Sequence, residues 1–223
     1  MMAKAVLMLL MTAALGLAGC LPKTPAPPPA EPQPVAPAGG LALFNGRDLA
    51  GWRVLDEAFY ADRGRVHVAD GALRLEAGDP MTGAAWTGDF PRSGYEVELE
   101  AMRTGGGDFF AAVTFPVGEG RCSWVVGGWG GTVVGLSSVD GYDASENATT
   151  RVMTFESGRW YRLRVRVTGE RVECFIDGER VIDQLREGVR FSVRFEMEPI
   201  EGFGLSTWRT GAAYRNLRLR PAE

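Results

Sequence analysis

Four stretches of this chain alternate apolar and charged residues with a period of two. Tyr95, Val97, Leu99 and Ala101 alternate with Glu96, Glu98 and Glu100. Tyr161, Leu163, Val165 and Val167 alternate with Arg162, Arg164 and Arg166, and Leu217 and Leu219 with Arg218 and Arg220. From Gly64 to Ala77, Val66 and Val68 alternate with Arg65 and His67. Asp70-Gly71 then suits a tight turn, and Leu73 and Leu75 return, which predicts a hairpin. Segments of this kind are antiparallel strands with one face on a core and the other in water. If the glutamate-bearing and arginine-bearing strands are neighbours, each opposed pair contributes ~0.2–1 kcal/mol.

The central stretches differ. Phe109 to Val117, Cys122 to Val126 and Thr132 to Val139 are nearly uncharged, aromatic and rich in glycine. Strands of that composition are covered on both faces or turn one face to a ligand groove. No segment sustains a helical period. The predicted fold is all-β: two antiparallel sheets packed face to face as a jelly-roll sandwich, with a charged back and a smoother front.

The first twenty residues form a separate unit. Lys4 precedes an apolar run, Ala5 to Leu17, that closes on Leu17-Ala18-Gly19-Cys20. This order is a secretory signal, and a cysteine directly after small residues resembles the bacterial lipobox, so Cys20 is the expected lipidation site. Residues 21–40 follow as a linker whose proline-rich part, Pro22 to Ala38, favours extended polyproline II. At ~3.1 Å per residue it would hold the body up to about 50 Å from the lipid. The expected organisation is therefore a signal peptide over 1–20, a spacer over 21–40 and one sandwich domain over 41–223. By resemblance to enteric sorting signals, Leu21 and Lys23 favour the outer membrane over the inner.

Loss of Lys4 with the signal turns 24 basic residues into 23 against 28 acidic, a net charge of −5. With no basic block, nucleic acid is not an expected partner. Beyond Cys20 only Cys122 and Cys174 remain, and both a disulfide and two buried thiols are compatible with their apolar strands.

The segment Leu43-Phe44-Asn45-Gly46-Arg47-Asp48-Leu49 to Trp52 resembles the opening of the concanavalin A-like domains classed as 3-keto-disaccharide hydrolases. Further landmarks follow in the same order: Val68 to Leu73, Tyr95 to Leu99, Trp160 to Leu163, Ile176-Asp177-Gly178 and Tyr214 to Arg218. The resemblance spans about Leu43 to Arg220 and implies sugar chemistry. Where better-known members carry an asparagine-serine-glycine turn before an arginine-bearing strand, this chain has Gly105-Gly106-Gly107-Asp108-Phe109-Phe110.

Chemistry is expected between Cys122 and Arg151. Trp124 and Trp129 lie among glycines that would let a flat ring approach the backbone, and indoles stack on the C–H faces of sugars. Tyr142, Asn147 and Arg151 supply groups for hydroxyls nearby. The competing reading makes both tryptophans core and the loop merely solvated. Breaking a 3-keto glycoside can exploit the ketone, which acidifies the C2–H; a base removes that proton and the group on C1 leaves. His67 is the only histidine, so the expected base is a carboxylate: Asp108, Asp140, Asp143 or Glu146. The oxygen-rich run Asp140 to Glu146 suggests calcium as an alternative, though not an EF-hand, and no other cofactor is expected. Glu96, Glu98 and Glu100 resemble the alternating carboxylates of retaining glucanases, but their arginine neighbours suit the charged back better. Three functions stay open: a 3-keto-glycoside hydrolase, a non-catalytic glycan-binding module, or a structural envelope protein that docks a partner.

Overall fold

The computed structural model describes residues 40–222. The signal sequence, Cys20 and nearly all of the spacer lie outside them. The strands run in chain order as β1 (Leu41–Ala42), β2 (Trp52–Val54), β3 (Val66–Ala69), β4 (Ala72–Leu75) and β5 (Met81–Trp86). Next come β6 (Tyr95–Gly106), β7 (Ala111–Val117), β8 (Gly120–Gly128), β9 (Val133–Ser137) and β10 (Arg151–Val152). The last five are β11 (Trp160–Val167), β12 (Arg171–Ile176), β13 (Glu179–Leu185), β14 (Gly204–Trp208) and β15 (Thr210–Pro221). Two 3-10 turns, Ala58–Tyr60 and Phe195–Met197, are the helical elements among the described residues.

The strands form two antiparallel sheets. The back sheet runs β13-β12-β11-β6-β15-β4-β3, with β1 paired to β15, and the front sheet runs β10-β9-β8-β7-β14-β5-β2. The expected hairpin is β3–β4, its turn residues Asp70 and Gly71 have φ of 53° and 72°, and the register pair Ala69↔Ala72 closes it. A positive φ there matches the right-handed twist of the flanking strands.

The charged faces meet as the alternation predicts. Strand β6 lies between β11 and β15, and Arg162, Arg164 and Arg166 stand opposite Glu100, Glu98 and Glu96. The side chains pair diagonally as well: Arg164 reaches Glu96 at 3.0 Å, Arg215 reaches Glu100 at 2.6 Å, and Arg220 also pairs with Glu96. The acidic triplet is thus the ion-paired outer surface of the back sheet.

Between the sheets lies one core, with Val97, Leu99, Phe115, Trp124, Leu163 and Leu205 fully buried. A second, smaller core sits on the outer side of the front sheet, where Tyr60, Met197 and Ile200 pack down on Met81, Ala112 and Val125. Gly83 makes this close approach possible, since a Cβ there would meet the Tyr60 ring at 2.7 Å and Ser206 Oγ at 2.8 Å. The central front strands are therefore nearly uncharged because both their faces are covered; β7 is buried at every position.

Cys122 and Cys174 are free thiols, buried on opposite sheets. Burial pushes both thiols well above their ordinary pKa. Neither is expected to react with an alkylating reagent at pH 8 until the protein unfolds, which peptide mass mapping with and without denaturant would check.

Candidate functional site

A cleft of about 430 Å³ opens on the outer face of the front sheet. Its floor comes from the outward positions of β8 and β9, Ser123, Val125 and Ser137, because Cys122, Trp124 and Val126 take the inward ones. Ser123 stands opposite Ser137 in register, and its hydroxyl is bonded to Thr114 Oγ1 at 2.8 Å. One wall is the loop after β9, with Asp143, Ser145 and Glu146. The turn Phe195–Met197 and its flank supply Arg194, Glu196 and Met197, and Phe109, Trp129, Trp208 and Met81 complete the lining.

Charge is organised around Arg194. Its guanidinium holds Glu196 in a two-point contact, Nε to Oε2 at 3.1 Å and Nη2 to Oε1 at 3.0 Å, and pairs with Asp143 through Nη1. Hydrogen bonds to Glu196 first, and also to Asp143, raise the Arg194 pKa above its ordinary value against the opposing effect of burial. Asp143 also accepts from Ser137 Oγ at 2.6 Å and from the backbone N–H of Ala144 at 2.7 Å. Glu146, by contrast, is exposed on the cleft wall, and its carboxylate has no hydrogen-bond or ion-pair partner among the described residues.

Of the predicted groups, Asp108, Trp129, Asp143 and Glu146 come together here. Trp129 is 46% exposed and has φ 48°, in a turn where Gly127, Gly130 and Gly131 also take positive φ. Asp108 holds that turn: its Oδ2 accepts the N–H of Gly130 at 3.2 Å and its Oδ1 that of Phe109 at 2.7 Å. The buried Arg103 assists from beneath by donating to Gly131 O at 3.1 Å. Asp108 is therefore a strut for Trp129 and not a free base.

The other predictions are corrected. Trp124 is not a stacking surface, because it is fully buried between the sheets. Asn147 is turned inward as a clip for its own loop, donating to Leu136 O at 2.7 Å and Asp143 O at 2.7 Å. Asp140 is tied to the N–H of Arg190 at 2.8 Å and does not line the cleft. Tyr142 is 60% exposed but lies off the lining, and Arg151 stands beside Val152, Met153 and Arg180 in a shallow groove elsewhere. His67 belongs to β3 of the back sheet. Among the described residues, no three His, Cys, Asp or Glu side chains converge to hold a metal ion. The sequence reading missed Arg194, Glu196 and Trp208, which carry no local motif.

The family model described as 3-keto-alpha-glucoside-1,2-lyase-like domain matches residues 40–220. The chain belongs to this family. The lyase-like domain is thus a carbohydrate-active sandwich, as the resemblance of its opening segment implied. Solved structures share the fold at low identity. Carbohydrate-binding module CBM66 from Bacillus subtilis is 15% identical with a TM-score of 0.52, over 76% of this chain and 95% of that one. A Bacillus subtilis protein of unknown function with a galectin-like fold is 10% identical at 0.54, over 78% and 90%. A protein described as a native glycosidic hydrolase is 12% identical at 0.54, over 78% and 91%. No curated protein sequence matches the chain. These neighbours share the lyase-like domain's two-sheet architecture, which provides a front face without dictating the groups on it.

Proposed function

We propose that the cleft binds a glucoside oxidised at C3 and eliminates the group attached to C1. What supports this reading is the meeting of three features in one cleft: an unpaired carboxylate (Glu146), a pinned guanidinium (Arg194) and a half-exposed indole (Trp129). The Trp129 indole stacks on the sugar ring. Glu146 takes the C2 proton, whose bond electrons form C1=C2 as the C1–O bond breaks, and the departing oxygen takes up a proton. Negative charge develops on the C3 oxygen meanwhile. Arg194, held in place by Asp143 and Glu196, supplies the preorganised donor for it. Addition of water across C1=C2 would complete a net hydrolysis.

A non-catalytic glycan-binding module is the second reading. It is favoured by the engagement of Asp108, Asp143 and Glu196 in structural contacts, which leaves Glu146 as the one unpaired carboxylate on the lining. Proton NMR of the full chain with glucosides and their 3-keto forms separates the two. Product signals that grow with time support the lyase, and line broadening without product supports the binding module. No change on any sugar would discard both in favour of a protein-docking role. We also propose that the domain works in the cell envelope on a lipid anchor at Cys20, preferentially at the outer membrane. Cys20→Ser is expected to move the protein from the membrane fraction to the soluble one, and unchanged fractionation would refute the anchor.

A further inference from the structure

The cleft has two chemically different ends. Across the front sheet its lining runs from β9 through β8, β7 and β14 to β5, four strand spacings or roughly 19 Å. At the β9 end stand Ser137, Asp143, Ser145, Glu146 and Arg194. At the other end Trp208 faces Met81 in register on β14 and β5, and the Trp208 backbone N–H donates to Phe109 O at 3.3 Å. The turn Phe195–Met197 bridges the two: Arg194 reaches Asp143, while Met197 Sδ accepts from Tyr60 Oη at 3.7 Å above β5.

One sugar ring finds its partners at the β9 end. A second sugar would place its hydroxyls against Phe109 and Trp208, where the flanking carboxylates are already engaged, Asp108 by the N–H groups of Phe109 and Gly130 and Glu196 by Arg194, and the hydroxyl of Ser206 is fully buried and bonded to Tyr60 at 2.9 Å. Each hydroxyl left without a partner lowers affinity by roughly ten-fold. An aromatic ring meets the opposite situation, since the indole of Trp208 and the phenyl ring of Phe109, backed by the buried Met81 and Met197, are its preferred contacts. We infer that the group leaving C1 is an apolar aromatic aglycone and not a second sugar; this rests on the glycoside reading above. The elimination keeps its form, with the aglycone oxygen taking the C1–O electron pair and a proton.

An aryl oxygen leaves more readily than a sugar oxygen whatever the protein does, so binding is the proper readout. Unoxidised glucosides lack the C3 ketone and cannot eliminate. Calorimetry on the full chain would compare methyl glucoside, benzyl glucoside and a glucosyl-glucose disaccharide. The benzyl compound is expected to bind at least about ten-fold tighter than the other two. Trp208→Leu and, independently, Met197→Gln are expected to erase that advantage while methyl glucoside still binds. A disaccharide that binds as tightly as benzyl glucoside overturns the inference and leaves the glycoside reading standing. So does a benzyl advantage that survives both substitutions in folded protein. If no glucoside binds folded protein, the inference falls, and the glycoside reading is then decided by product formation from the 3-keto forms alone.

Discussion

Glu146→Gln is expected to leave the fold intact and to lower turnover of a 3-keto glucoside by about 10²–10⁴-fold, the usual contribution of a positioned general base. The side chain is exposed and makes no hydrogen bond or ion pair among the described residues, so stability should change by less than about 0.5 kcal/mol. Glutamine preserves the shape and removes only the ability to take a proton. A direct readout uses methyl 3-keto glucoside in D2O. The wild-type protein should exchange the C2 proton for deuterium, and the variant should not. Equal exchange by both would sink the assignment of Glu146. Asp143→Asn is the informative contrast. It disturbs Arg194 together with the Ser137 hydrogen bond, so its losses should include stability as well as rate.

Trp124→Ala is expected to destabilise the protein by ~3–5 kcal/mol, as for other large-to-small changes in a packed core. Trp124 is among the largest fully buried side chains, and it sits on β8 between the sheets. Its indole N–H is buried with no hydrogen-bond partner among the described residues. Trp124→Phe would relieve that unpaired donor and so cost markedly less than the alanine change. Trp129→Ala should behave in the opposite way, with stability nearly unchanged and sugar affinity lost, because its ring is 46% exposed at the cleft. Urea unfolding midpoints for the three variants check the contrast. A small effect at Trp124 would refute its place in the core.

The two tryptophans also mark how far the chain could be interpreted without its fold. Parity along β8 puts Trp124 on the same face as Cys122 and Val126, so its burial was available from alternation once the strand was assigned. The ladder between β8 and β9 slips between Val126 and Gly128. Parity is lost there, and the orientation of Trp129 depends on a turn held by Asp108 and Arg103. Asp143 and Glu146 were candidates by residue type. Asp140, three residues earlier, was an equally good candidate until its bond to Arg190 turned it elsewhere.

Alternation by itself determined the all-β class, the hairpin at Asp70-Gly71, the apposition of glutamate and arginine strands, and a nearly uncharged centre of the front. A period-two pattern encodes which face meets water, and that is a local property. The opening segment carried the family. The cleft was decided by tertiary structure alone. Arg194 lies 51 residues from Asp143 and Trp208 lies more than 120 residues from Met81, yet each pair meets. Ion pairing and strand register act between segments that only folding brings together, and no window along the chain contains both partners.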